Sequence, residues 1–122
     1  MKDWEEVEKE IQKLNSIHRG ILECRGNARR EIVKNDGRTI SMWMTKKQKS
    51  KKSITYQMIK YAFDRLRGGC IFNSPYFRLS YEREYLSGSC RYSMVGGILV
   101  ELGLATRHNT GRNSCYYVPI WA

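Results

Sequence analysis

The sequence predicts an α+β fold, and three observations carry that prediction. Apolar residues recur at spacings of three and four in several segments, the mark of helices with one buried stripe. Between and after those segments, short β-prone runs flank tight polar turns, Asn35-Asp36-Gly37 and NTGRN at 109–113. The chain has 122 residues, 41% of them hydrophobic, which is enough for one small core. It holds no apolar run of about 18 residues, so no membrane span is expected.

The first element is a helix from about Asp3 to His18. Trp4, Val7, Ile11, Leu14, Ile17 or His18, and then Ile21 form its stripe. Asp3 is the expected N-cap, and acids crowd the positive end of the helix dipole. Such a stripe has to be covered, either by the rest of the chain or by a homodimer or protein partner in a short coiled-coil seam. The second element is a β-hairpin over Arg29–Met44, turning at Asn35-Asp36-Gly37. One of its faces carries Ile32, Ile40 and Met42, the other Arg29, Glu31, Val33 and Trp43.

KKQKSKK, residues 46–52, packs five lysines into seven residues. Like charges at that density favour an extended, solvated linker. The expected organisation is therefore a helix-plus-hairpin appendage over 1–45, a linker over 46–52 and a second unit over 53–122. That unit opens with a helix capped by Ser53, with Met58, Ile59, Ala62 and Leu66 on one face and Gly68-Gly69 at its end. CIFNSPYFRLS reads as at most one short strand and a loop, followed by a short helix opened by Ser80. After Ser87-Gly88-Ser89 comes the helix CRYSMVGGILVEL. Two strands, about Ala105–His108 and Ser114–Pro119, close the chain.

This order resembles the winged helix-turn-helix family. "YLSGSCRYSMVGGILVELGLATRHNTGRNSCYYV" is similar to the family's second helix, turn, recognition helix and wing. Leu86 ends the second helix, Ser87-Gly88-Ser89 is the turn, and Val95, Ile98, Leu99 and Leu102 are the buried face of the third helix. Gly103-Leu104 is the stop, and Tyr116 with Val118 the return strand. The resemblance spans about 53–119 and implies DNA binding by a helix laid in the major groove. Ser89, Tyr92, Ser93, Gly96 and Val100 would then face outward, with Arg91 at the helix start. Gly96-Gly97 weakens a helix by about 1 kcal/mol per residue, which also fits close packing by another element.

Charge points the same way. The formal net charge is +10, yet residues 1–14 hold five acids against three lysines, so the remainder carries +12. A surface this positive attracts polyanions and releases condensed counterions on binding. The expected function is nucleic-acid binding, double-stranded DNA before RNA, as a transcriptional regulator or accessory module. Ser89, Arg91, Tyr92 and Ser93 would lie at the groove; Arg107, His108, Thr110, Arg112 and Asn113 on the wing; Lys46, Lys47, Lys49, Lys51 and Lys52 on phosphates. The alternatives are a protein-interaction scaffold, an RNA binder, or a specificity module of a larger nucleic-acid enzyme.

Catalysis is not expected. Glu31 and Lys34 are one residue too far apart for an acid-x-lysine nuclease signature, and neither GxxxxGK[ST] nor GxGxxG occurs. Cys24, Cys70, Cys90 and Cys115 form no CxxC pair, so no metal or other cofactor is expected. They read as free thiols in a reducing compartment, with disulfides or a scattered metal site as alternatives. The acidic N-terminus is unlike a signal peptide. The expected location is intracellular, in cytoplasm, nucleoid or nucleus.

Overall fold

The computed structural model describes residues 2–15, 20–24, 26, 28–44, 50–88, 90–111 and 114–121. Among them the fold is α+β, with four helices and seven strands in three small sheets.

Helix α1 spans Trp4–Gln12, with the Asp3 carboxylate accepting from Glu6 N at 2.9 Å. It is shorter than its stripe suggested. Asn35, from the first hairpin, donates from Nδ2 to the carbonyls of Ile11 (2.8 Å) and Leu14 (2.9 Å). A side chain thus satisfies carbonyls left without partners at the helix end. Residues 16–19 lie outside the described part. Val7, Ile11 and Leu14 are buried, and Trp4 packs on Phe63, so the stripe is covered by the chain itself.

Strands β1 (Ile21–Leu22) and β2 (Arg29–Arg30) pair antiparallel. Strands β3 (Ile32–Asn35), β4 (Thr39–Trp43) and β5 (Lys51–Thr55) form a three-stranded sheet in that order. Ile32, Ile40 and Met42 are buried together, as their alternation predicts. The β3–β4 turn is held by Asp36, whose carboxylate accepts from Arg38 N (2.9 Å), Thr39 N (2.8 Å) and Thr39 Oγ1 (3.1 Å). Gly37 supplies the positive φ of 87° that the turn needs. Those backbone hydrogen bonds hold the Asp36 carboxyl below its ordinary value of 3.8. A depressed acid stabilises the fold above its unfolded pKa and loses that contribution as pH falls through its folded pKa. Asp36→Ala should therefore lower the melting temperature at pH 7, with the gap to wild type closing as pH drops below about 4. An unchanged gap across a melting series from pH 7 to pH 2.5 would remove the carboxylate from this role.

Lys51 and Lys52, expected in a linker, instead belong to β5. Lys52 pairs with Met42 and Lys51 with Trp43. Met44 N donates to Ser50 O at 2.8 Å and closes the hairpin, so the lysine run 46–49 connects two strands rather than two units. Edge strands are where lysine is tolerated and useful, because its charge blocks further strand pairing. Sequence charge density reported solvation correctly at that edge but not the absence of structure.

Helix α2 (Tyr56–Arg67) is capped by Thr55, whose hydroxyl accepts from Met58 N at 3.2 Å, and not by Ser53, which lies two residues earlier in β5. Met58, Ile59, Ala62, Phe63 and Leu66 are buried. Phe72 and Tyr117 then exchange two backbone hydrogen bonds of 2.9 Å, a single β-bridge. Helix α3 spans Ser74–Leu86, starting six residues before the expected Ser80. Asn73 caps it by accepting from Tyr76 N, and Pro75 sits in its first turn, where no N–H is missed. Tyr81 is non-helical (φ −132°, ψ 41°), a kink at the place where the sequence suggested a start. Helix α4 runs Cys90–Glu101; Gly103 at φ 74° ends it and Leu104 returns to the core. Strands β6 (Ala105–Asn109) and β7 (Cys115–Pro119) form the final hairpin. One apolar cluster runs from Val7 and Ile40 through Ile59 and Phe72 to Leu99 and Tyr117.

Candidate nucleic-acid interface

Of the four residues expected on the buried face of α4, Val95, Ile98 and Leu99 are fully buried, while Leu102 is half-buried just past the helix end. The opposite side is not free, which corrects the expected outward set. Tyr92 is 4% and Ser93 5% exposed, and Gly96 and Gly97 are buried too. A Cβ built on Gly96 would lie 2.0 Å from Tyr117 Cε2, and one on Gly97 2.4 Å from the Leu22 carbonyl oxygen. The small residues bring a ring and a strand backbone close rather than a base edge. Tyr92 donates its hydroxyl to Cys115 O at 2.8 Å, with Phe72 O at 3.3 Å. Burial raises its pKa, with Tyr117 and Tyr85 adding to the effect. Ser93 donates to Cys90 O and accepts from Arg30 Nη1, both at 2.9 Å.

The remaining candidates fall into two places. At the α3–α4 turn, Arg91 donates from Nε to Ser53 O (3.0 Å) and from Nη1 to Ser87 Oγ (2.7 Å). Lys52 Nζ donates to Ser87 O at 3.1 Å and sits over Gly88, where it would meet any Cβ. These acceptors are neutral, so they position both cations without cancelling their charge. Lys51 is exposed in β5, paired with Trp43 of β4. Arg83, which no motif singled out, is exposed in the last turn of α3.

On the last hairpin, Arg107 donates from Nη1 to Glu23 O and is half-buried, so it braces the hairpin against the β1–β2 connection. His108 is exposed, stacked on Tyr116 at 5.3 Å and 14°, with Thr106 Oγ1 3.2 Å from its Nε2. Thr110 is exposed, its N–H donating to Ser114 O at 3.0 Å. Ser89, Arg112, Asn113, Lys46, Lys47 and Lys49 lie outside the described residues.

Between the two places lies a cleft of about 490 Å³, lined among others by Met44, Cys90, Ser114 and Arg30. Met44 leads into the lysine run, Ser114 follows the 109–113 tip, and Cys90 opens α4. Arg30 Nε pairs with Glu23 Oε1 at 3.1 Å, with both side chains about nine-tenths buried. No spacing signal separated Arg30 from Arg29 in the sequence.

No protein-family profile matches the chain, and searches of curated proteins and of solved structures return no match. Cys24 and Cys115 are joined in a disulfide, which corrects the expectation of four free thiols; Cys70 and Cys90 are free. Among the described residues no group of three or more His, Cys, Asp or Glu side chains could hold a metal, and no helix is long and apolar enough to cross a membrane.

Proposed function

We propose that this protein binds nucleic acid, duplex DNA before RNA, by gripping phosphates rather than by reading bases with α4. The observation that carries the reading is the shared cleft. Met44, which precedes the lysine run in sequence, Ser114, which follows the 109–113 tip, and Cys90, which opens α4, all line it. Residues next in sequence to two cationic stretches thereby meet at one cleft, and residues 15–122 carry a net +12 after their seven acids are counted. The order of α2, the Phe72–Tyr117 bridge, α3, α4 and the β6–β7 hairpin supports a winged helix-turn-helix reading. In this version the wing and the lysine hairpin act, while α4 serves as core. Phosphate contacts position a protein without conveying sequence, so the expected binding is salt-dependent and only weakly sequence-selective.

A labelled random duplex titrated by anisotropy at several salt concentrations is the test. The slope of log affinity against log salt should fall by about 0.9 for each phosphate neutralised. Lys49→Glu with Lys51→Glu should weaken binding by at least about tenfold at low salt and flatten that slope. Lys60→Glu should change little, since Lys60 is paired with Asp64 at 3.1 Å on α2 and does not line the cleft. A flat slope for the wild type sinks the proposal. A protein-binding reading has one observation of its own: Leu79 and Leu86 on α3 are 78% and 67% exposed. A chain blind to duplex and RNA that self-associates in sedimentation would favour it.

A further inference from the structure

We infer that the cleft is a thiol-exchange site, in which a low-molecular-weight thiol opens the Cys24–Cys115 disulfide and releases the β1–β2 pair from α4. The bond ties residues 91 apart in sequence: the connection between β1 and β2, and the first residue of β7. Both cysteines line the cleft, and Cys24 is the more exposed of the two, Cys115 being 7% exposed. An incoming thiolate therefore meets Cys24 Sγ first, with Cys115 as the leaving sulfur.

The surroundings suit that departure. Tyr117 Oη lies 3.5 Å from Cys115 Sγ and 3.6 Å from Cys24 Sγ. A disulfide sulfur carries no hydrogen, so the phenol is the donor in both contacts. Burial keeps this phenol protonated far above neutral pH. Arg107 and Arg30 are close enough to act electrostatically on the same hydroxyl. Cationic neighbours and a hydrogen-bond donor stabilise a leaving thiolate and speed exchange.

The step balances without a metal or flavin. A thiolate RS⁻ attacks Cys24 Sγ, forms RS–S–Cys24 and expels the Cys115 thiolate, which takes a proton from water. A second RSH resolves the mixed disulfide, yielding RSSR and the Cys24 thiol. Two electrons pass from two small thiols to the protein.

What the bond holds down is specific. β1 crosses Gly97 with the Leu22 carbonyl against it, Arg30 reaches Ser93, and Arg29 lies 3.4 Å from Glu101. The β1–β2 pair thus lies along the Ser93–Gly97–Glu101 side of α4. It is a two-by-two strand pair, too small to be stable alone. Without the covalent tie it rests on Ile21 and a few polar contacts. Opening the bond exposes that side of α4 while α2 and α3 stay packed on its other sides. None of this depends on nucleic-acid binding.

The test uses the full chain as Cys70→Ser/Cys90→Ser, so that the bonded pair is the only source of thiols. Glutathione treatment should add two hydrogens by intact mass. Hydrogen exchange in 21–30 and 93–97 should then rise by about tenfold or more, with α2 unchanged. Cys24→Ser/Cys115→Ser should show the same exchange pattern without any reductant. Tyr117→Phe, which keeps the ring and removes the donor, should slow opening by glutathione severalfold. A purified chain with no disulfide, a reduced chain with 21–30 still protected, or uniform loss of protection along the whole chain would each overturn the inference.

Discussion

Phe72→Ala is expected to lower the free energy of unfolding by about 4 kcal/mol, the upper range for removing a buried ring. Phe72 is fully buried and sits at the centre of an aromatic cluster. Its ring centroid lies 5.2 Å from Tyr92, 6.1 Å from Tyr117, 6.2 Å from Phe77 and 6.5 Å from Tyr76. These four residues come from α3, α4 and β7, so a cavity here loosens three elements at once. The two main-chain hydrogen bonds to Tyr117 survive the substitution, and the loss therefore measures the ring alone. A small domain has about 5–15 kcal/mol in total, which leaves the variant close to unfolding at 37 °C. Urea denaturation checks this, with Ile71→Ala as the neighbour control. Ile71 is 39% exposed and should cost no more than about 1 kcal/mol. Equal effects at 71 and 72 would mean that the bridge, not the ring, organises this corner.

Such a ring cluster is partly readable in the sequence, and the reason is period. Val95, Ile98 and Leu99, or Ile32, Ile40 and Met42, repeat at the spacing of their element, and all are buried. The Asn35-Asp36-Gly37 turn and the strands on either side of NTGRN were legible because turn chemistry is local. The beginning of α3 was not. Its cap, Asn73, and its Pro75 are proper start signals, but exposed Leu79 and Leu86 and the break at Tyr81 blur the apolar stripe behind them. Strand β5 was hidden by its lysines, since an edge strand can be charged and still pair. The covering of α4 was beyond reach for another reason. A serine-glycine side suits a DNA groove and a tight helix–strand contact equally well, and Ile21 and Leu22, which settle it, lie some seventy residues upstream. The Cys24–Cys115 pair, 91 residues apart, is invisible on the same ground. Of the candidate interface residues, Lys51, His108 and Thr110 are exposed and Lys52 and Arg91 are half-buried at the α3–α4 turn, whereas Tyr92 and Ser93 are buried because α4 is covered on that side.

That reading can be settled by a sign. If the Gly96-Gly97 side of α4 faced solvent or a groove, alanine at either position would stabilise the helix by about 1 kcal/mol. With the side covered, both substitutions should instead destabilise, by about 2 kcal/mol or more after that gain is subtracted. The mechanisms differ. At Gly96 the new methyl lies 2.0 Å from Tyr117 Cε2 and 2.1 Å from Cζ, and the ring cannot swing away because Phe72 and Tyr92 pack against it. A smaller partner should relieve the clash, so Gly96→Ala combined with Tyr117→Leu should cost less than the sum of the two single changes, a coupling that a double-mutant cycle measures. At Gly97 the obstacle is main chain, the Leu22 carbonyl oxygen at 2.4 Å, together with Ile21 Cγ2 at 2.5 Å. No side-chain substitution relieves a main-chain clash. Gly97→Ala should therefore push β1 off α4, with faster hydrogen exchange confined to the β1–β2 pair, and Tyr117→Leu should not rescue it. Stabilisation by either alanine would return the small-residue side of α4 to the surface and reopen base reading by this helix.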